Sequence, residues 1–311
     1  MSIKNVVVAG GGVLGSQIAF QSAYKGFNVK VWLRMESSIG RAKPKFERVA
    51  KIYQETLQAM KTNPAAYCRG LADSPELTEA QIDELIEKAA HAMEHIEFTL
   101  SHEEASKDAD LVIEAIAENP AEKVDFYQAM AKYLPEEAII VTNSSTMLPS
   151  AFAESTGRPE KYLALHFANE IWRNNTAEVM GHAGTSPEAY NEVVEFAEAI
   201  GMIPLQLKKE QPGYILNSLL VPFLNSAQEL LAKGVADPET IDKTWQLGTG
   251  APLGPFRILD IVGLTTAYNI VIMNPEAKDP ETVPGKIAAV LKEYIDAGKT
   301  GINAGEGFYK Y

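Results

Sequence analysis

The chain of 311 residues predicts a doubly wound α/β fold with a mostly parallel sheet and a helical insertion, followed by an all-α C-terminal domain. Three observations carry this expectation. Short β-branched apolar runs alternate with helical stretches over the first two-thirds, the pattern of successive βαβ units. A cluster of glycines separates the first apolar run from the first helix. Past Gln211-Pro212-Gly213 the strand pattern stops and long apolar helical stretches take over.

Residues 3–9 read as a strand buried on both faces, because apolar residues run there without alternation. Residues 13–25 carry helical periodicity and 28–33 form a second strand, closing a βαβ unit. A charged helical arm spans about 37–95, split into two helices by "TNPAAYCRGLADSPEL". Strands resume at "IEFTL", "DLVIEAIAE", "AIIVTN" and "YLALHF"; another passes through Glu178, and "MIPLQLK" is the last. In the tail, "YILNSLLVPFLNSAQELLAKG" is a long apolar helix ended by Gly234. Asp237 caps a further helix whose first position is Pro238. "GPFRILDIVGLTTAYNIVIM" and "VPGKIAAVLKEYIDAG" are helical too. A chain of this length favours two cores, and the expected division is 1–207, including the arm, and 208–311.

Composition narrows the function classes. A net charge of −13 repels phosphate backbones and anionic lipid, so neither nucleic acid nor a membrane is an expected partner. The single cysteine, Cys68, excludes an internal disulfide and fits a reducing compartment. The N-terminal run "VVVAG" is too short for a signal segment, and no run nears the roughly eighteen apolar residues of a membrane helix. The cytoplasm is the expected location. His91 and His95 stand at i, i+4 on a helix, but no third ligand accompanies them, so no metal site is expected.

The loop "VVVAGGGVLGSQIAF" contains Gly10-x-Gly12-x-x-Gly15. The bare pattern says little, but here it follows a strand, opens a helix and lies in a βαβ unit. Gly10 permits the tight turn, Gly12 the approach of a pyrophosphate, and Gly15 close helix–strand packing. The helix start contributes N–H groups and its positive end. This is the arrangement of a Rossmann-type dinucleotide site. NAD enzymes usually place a carboxylate at the tip of the second strand; the matching position is Leu33, followed at once by Arg34. An arginine there can stack on adenine and pair with a 2′-phosphate, which tips the choice between NAD and NADP toward NADP.

From "DLVIEAIAENPAEK" through "VTNSSTM", "LALHF", "QPGYILNSLLVP" and "LGTGAPLGPFRILDIVGL" to the terminal "GEGFYKY", the chain resembles the L-3-hydroxyacyl-CoA dehydrogenases, including the short 3-hydroxybutyryl-CoA dehydrogenases. The resemblance covers nearly the whole chain, in order. It implies a catalytic histidine at His166 with its partner carboxylate at Glu178, an active-site serine at Ser145, and an asparagine from the first C-terminal helix at Asn217. It also puts Glu118 and Lys123 near the nicotinamide ribose. With Gly10, Gly12, Val13, Leu14, Gly15, Leu33, Arg34 and Asn143 these form the expected cofactor set. A homodimer through the C-terminal domain is implied as well, and the apolar surface of those helices agrees with it.

The residue types suit the chemistry on their own terms. Oxidising a secondary alcohol requires removal of the hydroxyl proton as hydride leaves the same carbon. A histidine titrating near neutrality can take that proton and return it in reduction. A carboxylate on its second nitrogen fixes the tautomer, while Ser145 and Asn217 can bond the substrate oxygen or thioester. A lone histidine is more often structural than catalytic; His166 is set apart by its companions.

One stretch departs from the resemblance. Between His166 and Glu178 runs "NEIWRNN", with Glu170 where the family carries proline after its asparagine. This loop is expected to border the acyl pocket. Its polarity argues for a short or polar acyl group, or for a free acid whose carboxylate meets Arg173. The helical arm keeps Lys43, Lys45, Lys51 and Lys61 but fewer lysines than the family's usual stretch, and Ser218 stands where the family often has arginine. The leading expectation is reversible NAD(P)-dependent oxidation of a short L-3-hydroxyacyl-CoA to the 3-oxoacyl-CoA. The alternatives are a dehydrogenase of a free 3-hydroxy acid, of the carnitine or gulonate type, and a dinucleotide-binding protein without turnover.

Overall fold

The structure, a computed structural model, describes residues 3–311. It divides into two compact units, the first ending at Ile215 and the second spanning Leu216–Tyr311. The first contains β1 (Asn5–Ala9), α1 (Val13–Tyr24), β2 (Asn28–Trp32), α2 (Glu36–Met60), α3 (Glu79–His91), β3 (Ile96–Thr99), α4 (His102–Ser106), β4 (Leu111–Glu114), α5 (Pro120–Ala131), β5 (Ile139–Thr142), β6 (Tyr162–Phe167), β7 (Thr176–Met180), α6 (Pro187–Ala199) and β8 (Ile203–Leu207). The eight strands form one sheet in the order β3-β2-β1-β4-β5-β6-β7-β8. Every pairing is parallel except β6 with β7.

The pattern of burial explains this sheet. Val6–Ala9 of β1 and all of β4, β5 and β6 are buried, as unbroken apolar runs covered by helices on both faces require. The chain winds from β1 outward to β2 and β3, then crosses back to β4 on the other side of β1. That reversal opens a crevice at the carboxyl ends of β1 and β4, where doubly wound sheets bind ligands. The predicted arm is the α2–α3 pair inserted between β2 and β3. Its apolar face closes on α1 through Phe46, Tyr53 and Leu57, all buried. Tyr53 packs edge-on against Phe20 and Tyr24.

The second unit is all helical: α7 (Leu216–Ala232), α8 (Pro238–Thr249), α9 (Pro255–Val262), α10 (Leu264–Val271) and α11 (Val283–Asp296). As expected, Asp237 caps α8 and Pro238 opens it. The run "GPFRILDIVGLTTAYNIVIM" becomes two helices, because Gly263 at φ 91° cannot continue the first. Two buried carboxylates hold this unit. Asp242 accepts the first N–H groups of α9, from Phe256 and Arg257, and the phenol of Tyr309. Asp260 accepts the Phe308 and Tyr309 N–H groups and the Tyr311 phenol, pinning the terminal "GEGFYKY". No helix among the described residues is long and apolar enough to cross a membrane.

Candidate active site

The glycine loop has the shape its spacing predicts. Gly10 sits at φ 117°, and a Cβ there would strike the Ala115 carbonyl; one on Gly15 would strike the Gly10 carbonyl. Both close approaches demand glycine. Gly12, the N-cap of α1, faces open space instead. No side chain caps α1, and its first turn carries no acidic residue. The helix start is therefore available to an anion, as pyrophosphate binding requires. Val13 and Leu14 form the first turn and, with Gly12, Gly15, Glu118, Asn143 and Ser144, line a small recess of about 140 Å³.

Beyond the loop opens a cleft of about 600 Å³ lined by Trp32, Leu33, Arg34, Ser38, Arg41, Lys45, His102, Glu122 and Phe126, among others. Leu33 is buried with its side chain under Gly11. Arg34 is largely exposed and gives one guanidinium N–H to Glu122 at 2.8 Å. Arg41 bonds the hydroxyls of Ser37 and Ser38, and Lys45 the Gly11 carbonyl. His102 stacks on Trp32 with ring centres 4.6 Å apart; burial, helped by Lys132, holds its pKa below the usual imidazole range.

His166 and Glu178 are paired residues of the antiparallel β6–β7 ladder. Directly opposed residues project from the same face, which accounts for their spacing of twelve. His166 Nδ1 lies 3.0 Å from Glu178 Oε2, and Nε2 lies 3.1 Å from Ser145 Oγ. His166 and Glu178 are buried, at 6% and 3% exposure. A carboxylate only accepts, so the Nδ1 proton points to Glu178 and Nε2 presents its lone pair toward Ser145. The other Glu178 oxygen accepts the Ile215 N–H at 2.8 Å.

The loop after β5 is tied from below. Asn143 spends its carboxamide oxygen on the Phe167 N–H, joining the ends of β5 and β6. Glu118 takes the Ser144 hydroxyl at 2.7 Å and the Ser145 N–H at 3.2 Å. The side chain of Lys123 is 1% exposed and its ammonium bonds both oxygens of the buried Glu114, at 2.7 and 2.8 Å. Glu114 also accepts from Tyr127, Thr142 and the Ile116 N–H. The ion pair thus anchors the β4 and β5 loop ends.

Asn217 lies in the second unit, in the first turn of α7. The sequence reading missed Ser144, Glu114, Gln17 and Tyr214. Ser144 stands in the "NSST" already singled out, and Tyr214 directly follows a glycine at φ 79°. Gln17 and Glu114 offered no signal; each is a polar residue in an apolar element. The "NEIWRNN" turn is also more buried than its polarity suggests. Ile171 and Trp172 enter the core, with Trp172 edge-on to Tyr53. Gln17 from α1 accepts the Glu170 N–H at 2.9 Å, and Asn175 donates to the Gly201 carbonyl. Glu170, Arg173 and Asn174 remain exposed.

The doubly wound fold with its glycine loop defines a class, the Rossmann-type oxidoreductases. Comparison with known proteins narrows it. Residues 5–211 match the model of the 3-hydroxyacyl-CoA dehydrogenase NAD binding domain and residues 213–311 that of its C-terminal domain; the chain belongs to the 3-hydroxyacyl-CoA dehydrogenase family. It is 49% identical to a structurally characterised diketoreductase described as acting on dicarbonyl compounds, with full coverage of both chains and a TM-score of 0.85. It is 27% identical to the (S)-3-hydroxybutyryl-CoA dehydrogenase of Ralstonia eutropha, covering 100% of this chain and 99% of that one at a TM-score of 0.76. The mitochondrial hydroxyacyl-coenzyme A dehydrogenase of Rattus norvegicus is 32% identical over 99% of this chain and 91% of its own length.

Proposed function

We propose that the protein interconverts a short L-3-hydroxyacyl-CoA and its 3-oxoacyl-CoA with NAD(P), using His166 as the proton-transfer residue. The observation that carries this is the His166 imidazole held between Glu178 and Ser145 at 3.0 and 3.1 Å. The glycine loop and the uncapped start of α1 suit the pyrophosphate, and the 600 Å³ cleft suits the adenosine end. When bound, the nicotinamide supplies or accepts the hydride. Nε2 takes the hydroxyl proton in oxidation and returns it in reduction. Glu178 keeps the proton on Nδ1 and stabilises the imidazolium that forms. Ser145 donates to the substrate oxygen as charge develops there. Glu118 holds the serine loop rigid.

NADP is the favoured form on the residues present: no carboxylate stands at Leu33, while Arg34, Ser38, Arg41 and Lys45 line the cleft. Glu122 competes for Arg34, so a 2′-phosphate would have to take its place. Arg34→Asp is expected to move the preference from NADPH toward NADH, and an unchanged ratio of kcat/KM values would remove NADP from the proposal. The second unit leaves Leu219, Leu247, Ile261 and Met273 more than half exposed, which supports a homodimer built on the 208–311 domain; sedimentation at varied concentration tests it.

A second reading keeps the chemistry and dispenses with coenzyme A. It is favoured by the arm: Lys51 pairs with Glu55 and Lys61 with Asp83, so two of the four lysines named above already have carboxylate partners. The 49% identical diketoreductase points the same way. Reduction of acetoacetyl-CoA and of a free or esterified 3-oxo acid, each with NADH and NADPH, decides between them. Turnover of the thioester at higher kcat/KM is expected. Turnover of the free compounds alone overturns the first reading for the second.

A further inference from the structure

Tyr214 is buried, at 1% exposure, beside a dyad to which the chemistry above assigns it no part. Its ring lies parallel to the His166 imidazole, with centres 4.3 Å apart and planes 11° apart. Its phenol donates to the Ser144 carbonyl at 2.7 Å. The next peptide N–H, from Ile215, donates to Glu178. One dipeptide therefore touches the histidine, its carboxylate and the serine loop together.

The backbone is bent to achieve this. Gly213 and Tyr214 are consecutive left-handed residues, at φ 79° and 54°. Glycine adopts that conformation freely and a bulky aromatic residue does not, so the surroundings must impose it. Ala164 and Met180, from the paired strands β6 and β7, wall in the ring, and the Tyr214 N–H closes the turn on the Gln211 carbonyl. Packing alone would be served by any apolar side chain in an unstrained turn. A strained residue that stacks on His166 and bonds the serine loop, next to a peptide N–H on Glu178, fits the pattern of a functional constraint.

We propose that Tyr214 is a positioning residue: its ring fixes the plane of the His166 imidazole and its hydroxyl locks the Ser144–Ser145 loop opposite Nε2. The proposal rests on the functional reading above. The groups facing the imidazole are Glu178 from β7, Ser145 from the β5 loop and Tyr214 from the turn after β8; Glu118 lies one hydrogen bond further, on the Ser145 N–H.

The test is steady-state kinetics with amide exchange at Ser145 on wild type, Tyr214→Phe and Tyr214→Leu. Tyr214→Leu should lower kcat by about 10- to 100-fold with KM changed less than about twofold. Tyr214→Phe, which keeps the ring, should lose only several-fold in kcat and speed amide exchange at Ser145. Unchanged kcat in both variants, or unchanged Ser145 exchange in Tyr214→Phe, overturns the proposal. If Tyr214→Leu does not fold, Tyr214→Phe decides through kcat and Ser145 exchange, and no change in either is again fatal. Absence of turnover with every thioester and free 3-oxo compound would sink the functional reading instead, while Ser145 exchange still judges Tyr214.

Discussion

Each oxygen of Glu178 meets a fixed donor, Oε2 the His166 Nδ1 and Oε1 the Ile215 N–H. Glutamine at that position keeps the shape but presents an amide N–H₂ to one of them. If it faces Nδ1, the imidazole must turn its proton to Nε2, the wrong tautomer for accepting from an alcohol. Glu178→Gln is thus expected to lower kcat by about 10²–10⁴-fold with the melting temperature little changed; a kcat within about twofold of wild type would detach Glu178 from the reaction. His166→Ala should cost a similar factor. The neighbouring Glu170 carries a different constraint. It sits at φ 59° with its N–H on Gln17, whereas proline requires φ near −65° and has no N–H. The family's proline is therefore incompatible with this turn. Glu170→Pro should destabilise the first unit by about 3 kcal/mol or more and Glu170→Gly should be neutral or mildly stabilising, as read from urea midpoints.

At the level of elements, the strands were legible because uninterrupted apolar runs in a parallel sheet have few other readings. The glycine loop was legible because close approaches at Gly10 and Gly15 exclude a side chain. The two motifs that distinguish the tail, "APLGPFRILDIVGL" and "GEGFYKY", prove to be scaffold: Asp242 and Asp260 sew helix starts and the chain end together. That role was invisible in the sequence, since a buried aspartate reads like an exposed one until its donors fold around it. The "NEIWRNN" turn misled for the converse reason. Its polar letters suggested surface, but Ile171, Trp172 and Asn175 turn inward while their neighbours stay in water. Lys123 folds as half of a buried pair, a partnership that nothing in "ENPAEK" reveals, since its carboxylate stands nine residues earlier in the core. Asp260→Ala gives the element-scale prediction. It strands two part-buried N–H groups and a phenol, and should destabilise the second unit on the order of 2 kcal/mol. An unfolding transition that coincides with wild type would show the terminal segment to be dispensable.

Across the whole molecule, the tyrosines make stability a function of alkaline pH. Burial pushes the phenols of Tyr24, Tyr53, Tyr127, Tyr162 and Tyr214 above their ordinary range in the first unit. In the second, burial and then the bond to Asp242 do the same for Tyr309, and burial with Asp260 pushes Tyr311 up to about 12. Unfolded, each phenol ionises near pH 10. A group with a raised folded pKa contributes its full stabilisation below the unfolded value and loses it as pH rises through the folded one. The urea midpoint is therefore expected to stay level from pH 8 to about 9.5 and to fall progressively from about pH 10 to 12. Each protected phenol adds up to about 1.4 kcal/mol per pH unit to that slope. Tyr162, bonded to Tyr127 in the core, isolates one contribution. Tyr162→Phe should lower stability at pH 8 yet flatten the decline above pH 10, so the two curves converge. Parallel curves would show that the buried phenols do not drive alkaline unfolding.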